Sequence, residues 1–414
     1  MDLREYLQRI DESGELRVIK TGVDTRLELA ALSRREFSKP QGGQALLFEQ
    51  IIDSPFPVVA NLFGSERRAS QLLHSDSFSH FSEKLKKLLQ QKTGTVAERL
   101  QFVANSDDFF LTKKTELQFS ADFELTSLPA IQSWSEEGGR YLNLAMTVTQ
   151  HPGTGLRNLG LYRAQIIDSD HLAVNFSPNS GAAEHLAAAA EAEKPLPISL
   201  ILGSDPALLW VAAAPLPRGC DEFVFHQVLF DRKLFFTSGL SQPLPVPTDA
   251  EIVIEGQIIP GDTVTEGPFG NHTGQYVSRS DCPVMRVTAI RHRPQPILPT
   301  TVVGPPPSEN IYLAEANEIL LREILKIDYP QISDLHMPLE TIFHGVALLA
   351  VRPQSIADNK ELLCELWRKS PLHSSRLLVL LDEDIDLSSA SRSWWRTINC
   401  LQNQRIYQDN GRIA

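Results

Sequence analysis

The feature that most constrains this chain is its middle, where six apolar runs follow one another with turn chemistry between them. "RYLNLAMTVTQ", "LGLYRAQIID", "HLAVNFS", "PISLILG", "EIVIEGQII" and "PVMRVTAIRHR" are short, rich in β-branched and aromatic residues, and separated by stretches such as "HPGTG". One alanine-rich helix, "AAEHLAAAAEAEK", interrupts them. Six strands with a helical insertion predict a barrel-like β domain over residues 125–290.

The flanks are different. At 414 residues the chain is too long for one average core, so two or three domains are expected. Its first residues predict a helix capped by Asp2, with Glu5 three positions on, an apolar face of Leu3, Tyr6, Leu7 and Ile10, and Gly14 as the stop. "ALLFEQII" and "PFPVVANLFG" read as short buried strands and "SEKLKKLLQQ" as a helix. The polar stretch "ANSDDFFLTKKTE" reads as a linker. After Pro305, Pro306 and Pro307 the pattern returns to α/β: helix "ANEILLREILKI", strand "GVALLAV", helix "KELLCELW", strand "RLLVLLDEDID".

Charge and cysteine usage narrow the partners. The net charge is −12 and no basic run is longer than "KLKK", so a nucleic-acid footprint is not expected. The 4 cysteines form no CxxC pair, which reads as reduced thiols in a cytoplasmic protein without a zinc cluster. The charged N-terminus is no signal peptide, and no apolar run approaches the ~20 residues a membrane span needs. The 11 histidines show neither HxH nor HExxH spacing, and a P-loop and a GxSxG elbow are absent from the sequence.

Three places carry candidate chemistry. Asn158 and Arg163 stand five residues apart in "NLGLYRAQ" and on a regular strand would face opposite ways; Gly160 could supply a bend, and a turn residue beside a structural cation is the plainer reading. Glu222 in "GCDEFVFHQ" is an oxygen donor of the kind Mg²⁺ or Mn²⁺ prefers, against the plainer reading of a solvated loop carboxylate. "EGPFGNHTG" has three glycines and a proline in nine residues, which reads as a tight turn whose backbone approaches something closely. Glu266 at its start could act as a general base or pair with an arginine, or be incidental to a well-made turn. The acidic run Asp382–Asp386 reads as a solvated strand end, and "TVVGPPPSEN" as a proline-locked connection.

Taken in order, "DLREYLQRIDESGELRVI", "PFPVVANLFGS", "TGLRNLGLYRAQIID", "LGSDPALLWVAAAPLP", "DAEIVIEG", "EGPFGNHTGQY", "PVMRVTAIRHR" and "TVVGPPP" resemble the UbiD family of decarboxylases nearly end to end. The resemblance implies an α/β (α+β multidomain) fold with a central split β-barrel of flavin-reductase type. It divides the chain at 1–115, 116–295 and 296–414. It further implies prenylated FMN as cofactor, supplied by a flavin prenyltransferase, Mn²⁺ or another divalent cation, and a homo-oligomer, dimer or hexamer. The substrate implied is an aromatic or α,β-unsaturated carboxylic acid, with a polyprenyl-hydroxybenzoate of quinone biosynthesis as the default.

Carried over residue by residue, the resemblance puts the metal on Asn158, Glu222 and Asn179, the last standing where the family often has His in "SHRGGA". Ser180 stands in place of the Arg that follows. The cofactor is expected against Leu161, Tyr162, Arg163, Asn175, Phe176, Ser177, Ser180, Gly181 and Arg376, where Lys is usual at the last. Arg163 and Glu266 match the family's catalytic arginine and glutamate. Its second acid, the proton donor, falls on Asn271, an amide with no proton to give near neutral pH; loss of a positioned general acid costs roughly 10²- to 10⁴-fold in rate. Glu266, water or His272 could deliver the proton instead. The alternative is a degenerate paralogue that binds flavin or a partner subunit without turnover, with a tail shorter than the family's.

Overall fold

The computed structural model describes residues 1–90, 93–100, 109–119, 123–342, 345–354, 356–401, 406–409 and 412–413. The chain divides into two compact units. One comprises Met1–Phe81, Phe102–Ala213 and Arg218–Tyr312, the other Ser82–Gln101, Ala214–Pro217 and Leu313–Ala414. Among the described residues no helix is long and apolar enough to cross a membrane.

The first unit starts with the expected helix, Leu3–Glu12. Asp2 and Glu5 form a reciprocal capping box, and Leu3, Tyr6, Leu7 and Ile10 are its buried face. Beyond it, Leu16–Ile19, Ala45–Phe48, Val58–Ala60 and Leu298–Pro299 form a four-stranded sheet. The larger sheet has nine strands. Its order runs Tyr141–Leu142, Ala164–Ile166, His171–Val174, Tyr276–His292, Ile252–Gly270, Leu196–Leu202, Met146–Gln150 and Arg157–Leu161, with Gln118–Phe119 against Tyr276–His292.

Two of the runs that read as single strands are split. Residues 141–150 and 157–166 form one antiparallel ladder interrupted at Asn143–Ala145 and Tyr162–Arg163, yet its two halves lie at opposite ends of the strand order. One hairpin therefore supplies both edges, and the sheet curls toward closure, as the expectation of a barrel-like domain required. Its concave face is filled by Leu172, Val174, Ile198, Leu200, Leu202, Ile252, Ile254, Ile258 and Met285. Each such burial contributes about 1.5–3 kcal/mol. The helix Gly181–Glu191 packs its Ala182 and Ala189 into the same cluster.

The stretch expected as a linker begins at residues 104–108, outside the described residues. From Phe109 on it is built in: Leu111–Thr112 pairs in parallel with Phe235–Phe236, and the Phe110 ring lies 4.7 Å from that of Phe236. The Phe110 ring, packed against Phe223 and Phe236, anchors the stretch despite its polar surroundings.

In the second unit, Ile332–His336 runs antiparallel to Val346–Val351, which runs parallel to Leu377–Asp382. The helices Asn310–Asp328 and Ile356–Lys369 contribute Leu321, Leu325, Leu362, Leu366 and Trp367 to its core. The acids Asp382, Glu383, Asp384 and Asp386 are exposed at a strand end, as read from sequence.

Candidate functional site

Two polar centres of the first unit gather most of the residues singled out by sequence. The first is built on Glu266, which is fully buried in the long strand Ile252–Gly270. Irregular pairing on both sides of Glu266 breaks the simple alternation of that strand. Arg163, in the gap between two strands, donates from Nε and Nη2 to the two carboxylate oxygens, both at 2.8 Å. Asn175 Nδ2 adds a third hydrogen bond at 2.8 Å, and the guanidinium lies 4.2 Å from the centre of the Phe269 ring. The bidentate geometry fixes both partners. Removing Arg163 would strand the buried Glu266 charge, at a cost of about 3–5 kcal/mol.

The structure corrects the reading of "GPFG" as a turn: Gly267 to Gly270 still belong to the strand, and the turn is Asn271–Gln275. The close backbone approach is real but internal. A Cβ on Gly267 would lie 2.7 Å from the Val277 carbonyl oxygen, and one on Gly138 would lie 2.0 Å from that of Gly267. Asn271 opens the turn: its N–H donates to the Gln275 carbonyl at 3.1 Å. Its Oδ1 accepts from the Thr273 N–H at 2.9 Å and from the Thr273 hydroxyl. With Trp134, Gly270, Gly274, Gln275, Tyr276 and Pro305 it lines a niche of about 100 Å³.

Sequence reading missed Glu137. Its buried carboxylate accepts from the N–H groups of Ser133 (2.6 Å), Gly270 (3.2 Å) and Trp134 (3.3 Å). It thus ties the 133–137 loop to the strand that carries Glu266. Burial pushes this carboxyl above its ordinary range, against those N–H groups and the charge of Arg163. The only signal was a pair of acids before two glycines in "SEEGG".

The second centre joins Asn158 and Glu222. Asp221 caps the helix Glu222–Phe230, accepting from the N–H groups of Phe223 and Val224, and is held by Arg157 at 2.8 Å. Glu222 is therefore not the solvated loop carboxylate that its neighbourhood suggested. It is the first residue of a helix, and Oε2 accepts from the Leu159 N–H at 2.9 Å. Burial pushes its carboxyl up to about 8 although that N–H pulls the other way. Asn158, on the same strand as Leu159, places its side chain by the Tyr162 hydroxyl.

Gly160 does not bend the strand, which continues to Leu161; the break comes at Tyr162 and Arg163. What Gly160 provides is room, since a Cβ there would lie 2.5 Å from the Tyr162 hydroxyl. That hydroxyl sits with the side chains of Ser180 and Asn158, and burial raises its pKa. Ser180 caps the helix Gly181–Glu191, and a Cβ on Gly181 would lie 2.1 Å from Asn158 Oδ1. Phe176 is buried with its ring 5.1 Å from that of Tyr162, and Leu161 is half-buried. Ser177 and Asn179 are exposed in the turn before the helix. Arg376 is exposed in the second unit, next to the strand Leu377–Asp382.

The donor set suits a hard divalent cation. Asn158 and Glu222 offer oxygens on adjacent elements, and among the described residues no cation pairs with the Glu222 carboxyl. The absence of a side chain at Gly181 is what lets the Asn158 amide lie against the start of that helix.

The comparisons agree from end to end. Profiles of the N-terminal, Rift-related and C-terminal domains of 3-octaprenyl-4-hydroxybenzoate carboxy-lyase match residues 7–88, 110–306 and 311–410. An uncharacterised protein of Archaeoglobus fulgidus is 32% identical over 95% of this chain and 83% of its own length. One of Aquifex aeolicus is 32% identical over 98% and 85%. Among solved structures, the vanillic acid decarboxylase of Sedimentibacter hydroxybenzoicus superimposes with a TM-score of 0.83 at 24% identity, covering 98% of this chain and 85% of that one. An evolved dimeric form of the UbiD-class enzyme HmfF of Pelotomaculum thermopropionicum, in complex with prenylated FMN, gives 0.79 at 24% identity, covering 100% and 93%. With its curled central sheet and all three domain profiles accounted for, the chain belongs to the UbiD family.

Proposed function

We propose that the protein is a carboxy-lyase that removes CO₂ from an aromatic or α,β-unsaturated acid, with prenylated FMN and a divalent cation, Mn²⁺ by family resemblance. The observation that carries this reading is the buried, bidentate Arg163–Glu266 pair, extended by Asn175. The cofactor, when bound, supplies an acceptor for the electrons released as the carbon–carboxylate bond breaks.

The chain's own residues do the rest. Arg163 presents a fork suited to a carboxylate. A substrate carboxylate that takes over one branch of that fork frees a Glu266 oxygen, which can then take up a proton and pass it to the carbon that has lost CO₂. Asn271 cannot supply that proton, and its Oδ1 is engaged by Thr273. Asn158 and Glu222 would hold the cation, with Asn179 and the cap of the Gly181–Glu191 helix toward the cofactor phosphate and Arg376 as a further cation. Leu161, Tyr162, Asn175, Phe176, Ser177 and Gly181 would line the remaining cofactor surface. We place the curled sheet with the flavin-reductase-type split barrels and the protein in the cytoplasm as a homo-oligomer. A polyprenyl-hydroxybenzoate is the first acid to test.

A second reading, a flavin-binding paralogue without turnover, is favoured by the amide at Asn271 and by Asn179 and Ser180 at the cofactor end. Expression beside a flavin prenyltransferase separates the two. Native mass spectrometry and the flavin spectrum report loading, and an acid panel followed by chromatography reports decarboxylation. Loaded protein that releases CO₂ from none of the acids sinks the first reading; colourless, empty protein sinks both.

A further inference from the structure

We infer that Arg279 is a positioning residue for Glu266, acting through Asn175; the inference rests on the reading above, in which Arg163 and Glu266 are the reacting pair. Arg279 is the cross-strand partner of Glu266 in the long hairpin. Its Nη1 donates to the Phe176 carbonyl at 2.6 Å and to Asn175 Oδ1 at 3.4 Å, while Nε pairs with exposed Asp281 at 3.0 Å. Asn175 in turn donates from Nδ2 to Glu266 at 2.8 Å.

The direction of this relay follows from the chemistry of its members. A primary amide fits its site in two orientations related by a half-turn, one presenting a donor and the other an acceptor. With Oδ1 toward Glu266, two acceptors would face each other in a buried place. Arg279 carries only donors, so it can hold Oδ1 but never Nδ2, and its contact selects the orientation that gives Glu266 its third hydrogen bond. The same nitrogen is anchored on the main chain of the next residue, Phe176, so the guanidinium is fixed relative to the amide it orients. Without Arg279, the Glu266 carboxylate alone selects that orientation, and the amide loses the anchor on its Oδ1 that holds it still.

The test compares wild type, Arg279→Met, Arg279→Lys and Arg163→Met as full-length, flavin-loaded proteins. One readout is solvent exchange of the Arg163 Nε–H by NMR; the other is the split between kcat and KM for the acid turned over. Arg279→Met should accelerate that exchange and lower kcat, each about tenfold, the worth of one charge-assisted hydrogen bond, with KM changed less than about twofold. Arg279→Lys, which keeps a donor-only group, should restore most of both. Wild-type exchange in Arg279→Met overturns the inference, as does a change that Arg279→Lys leaves unrepaired. Arg279→Gln, which cannot span both acceptors, serves in place of the methionine variant should that one fail to fold. An inactive wild type, or one indifferent to Arg163→Met, overturns the functional reading instead, and the exchange rate still decides the role of Arg279.

Discussion

The two acidic centres of the curled sheet treat their carboxylates in opposite ways. Glu266 is saturated, with two hydrogen bonds from Arg163 and one from Asn175. Glu222 receives one N–H from Leu159, is pushed up to about 8 by burial, and has no cationic partner among the described residues. The first centre is complete within the chain; the second has the electrostatics of a site short of a cation. Glu266 is also the more buried of the two residues, yet it is Glu222 whose carboxyl is pushed up. The supply of compensating donors distinguishes them.

The largest effect that would break this contrast is at the saturated centre. Glu266→Gln leaves the half-buried Arg163 without its counter-charge and should destabilise the protein by about 1.5–3 kcal/mol. Urea unfolding would measure it, and a loss under about 1 kcal/mol would mean the pair is solvated in solution.

Next comes the pH response of the second centre. The Glu222 carboxyl is raised from its ordinary 4.5 to about 8, so the folded state binds the extra proton between those values. Its contribution to stability is fully present below 4.5 and is lost as pH rises toward 8. Thermal melts of cation-free protein should show that decline, and Glu222→Gln or added Mn²⁺ should flatten it. A flat profile in the cation-free wild type contradicts the desolvated carboxyl.

Asn271→Asp sharpens the comparison at the hairpin. The aspartate keeps both Thr273 contacts, so the melting temperature should move by no more than a few degrees. If the amide is what limits proton delivery, turnover should rise by up to roughly 10²-fold. Unchanged turnover would assign the proton to Glu266 or water.

The smallest effect expected is that of Asn158→Leu. Leucine has a similar size and removes only the contact with the Tyr162 hydroxyl, so stability should change by about 1 kcal/mol, the worth of one hydrogen bond. Calorimetric titration should nonetheless show Mn²⁺ binding abolished. Retained affinity would move the cation site elsewhere.

Much of the fold was legible in the sequence. The capping box of Asp2 and Glu5, the alanine-rich helix and the apolar runs of the curled sheet are local signals that the tertiary structure reinforces. The site was legible only as residue types. Its turn was misplaced by four residues because "GPFG" carries turn-forming residues while three-dimensional packing uses its glycines to bring strands together. Gly160, which could have supplied a bend, proves to be space for the Tyr162 ring. Glu222 read as solvated because nothing near it in sequence announces the Leu159 N–H, 63 residues away. Glu137 and Arg279 escaped notice because their partners come from other segments of the chain.

The sequence by itself determined the β-rich middle, its α/β flanks, the ends of the first helix and the family. These depend on periodicity, capping and motif order, which act over a few residues or survive as quoted segments. Only the tertiary structure decided which acid is satisfied and which is not. That depends on donors brought from 63 to 103 residues away, Leu159 to Glu222 and Arg163 to Glu266, and on how much water the closing sheet removes around each carboxylate.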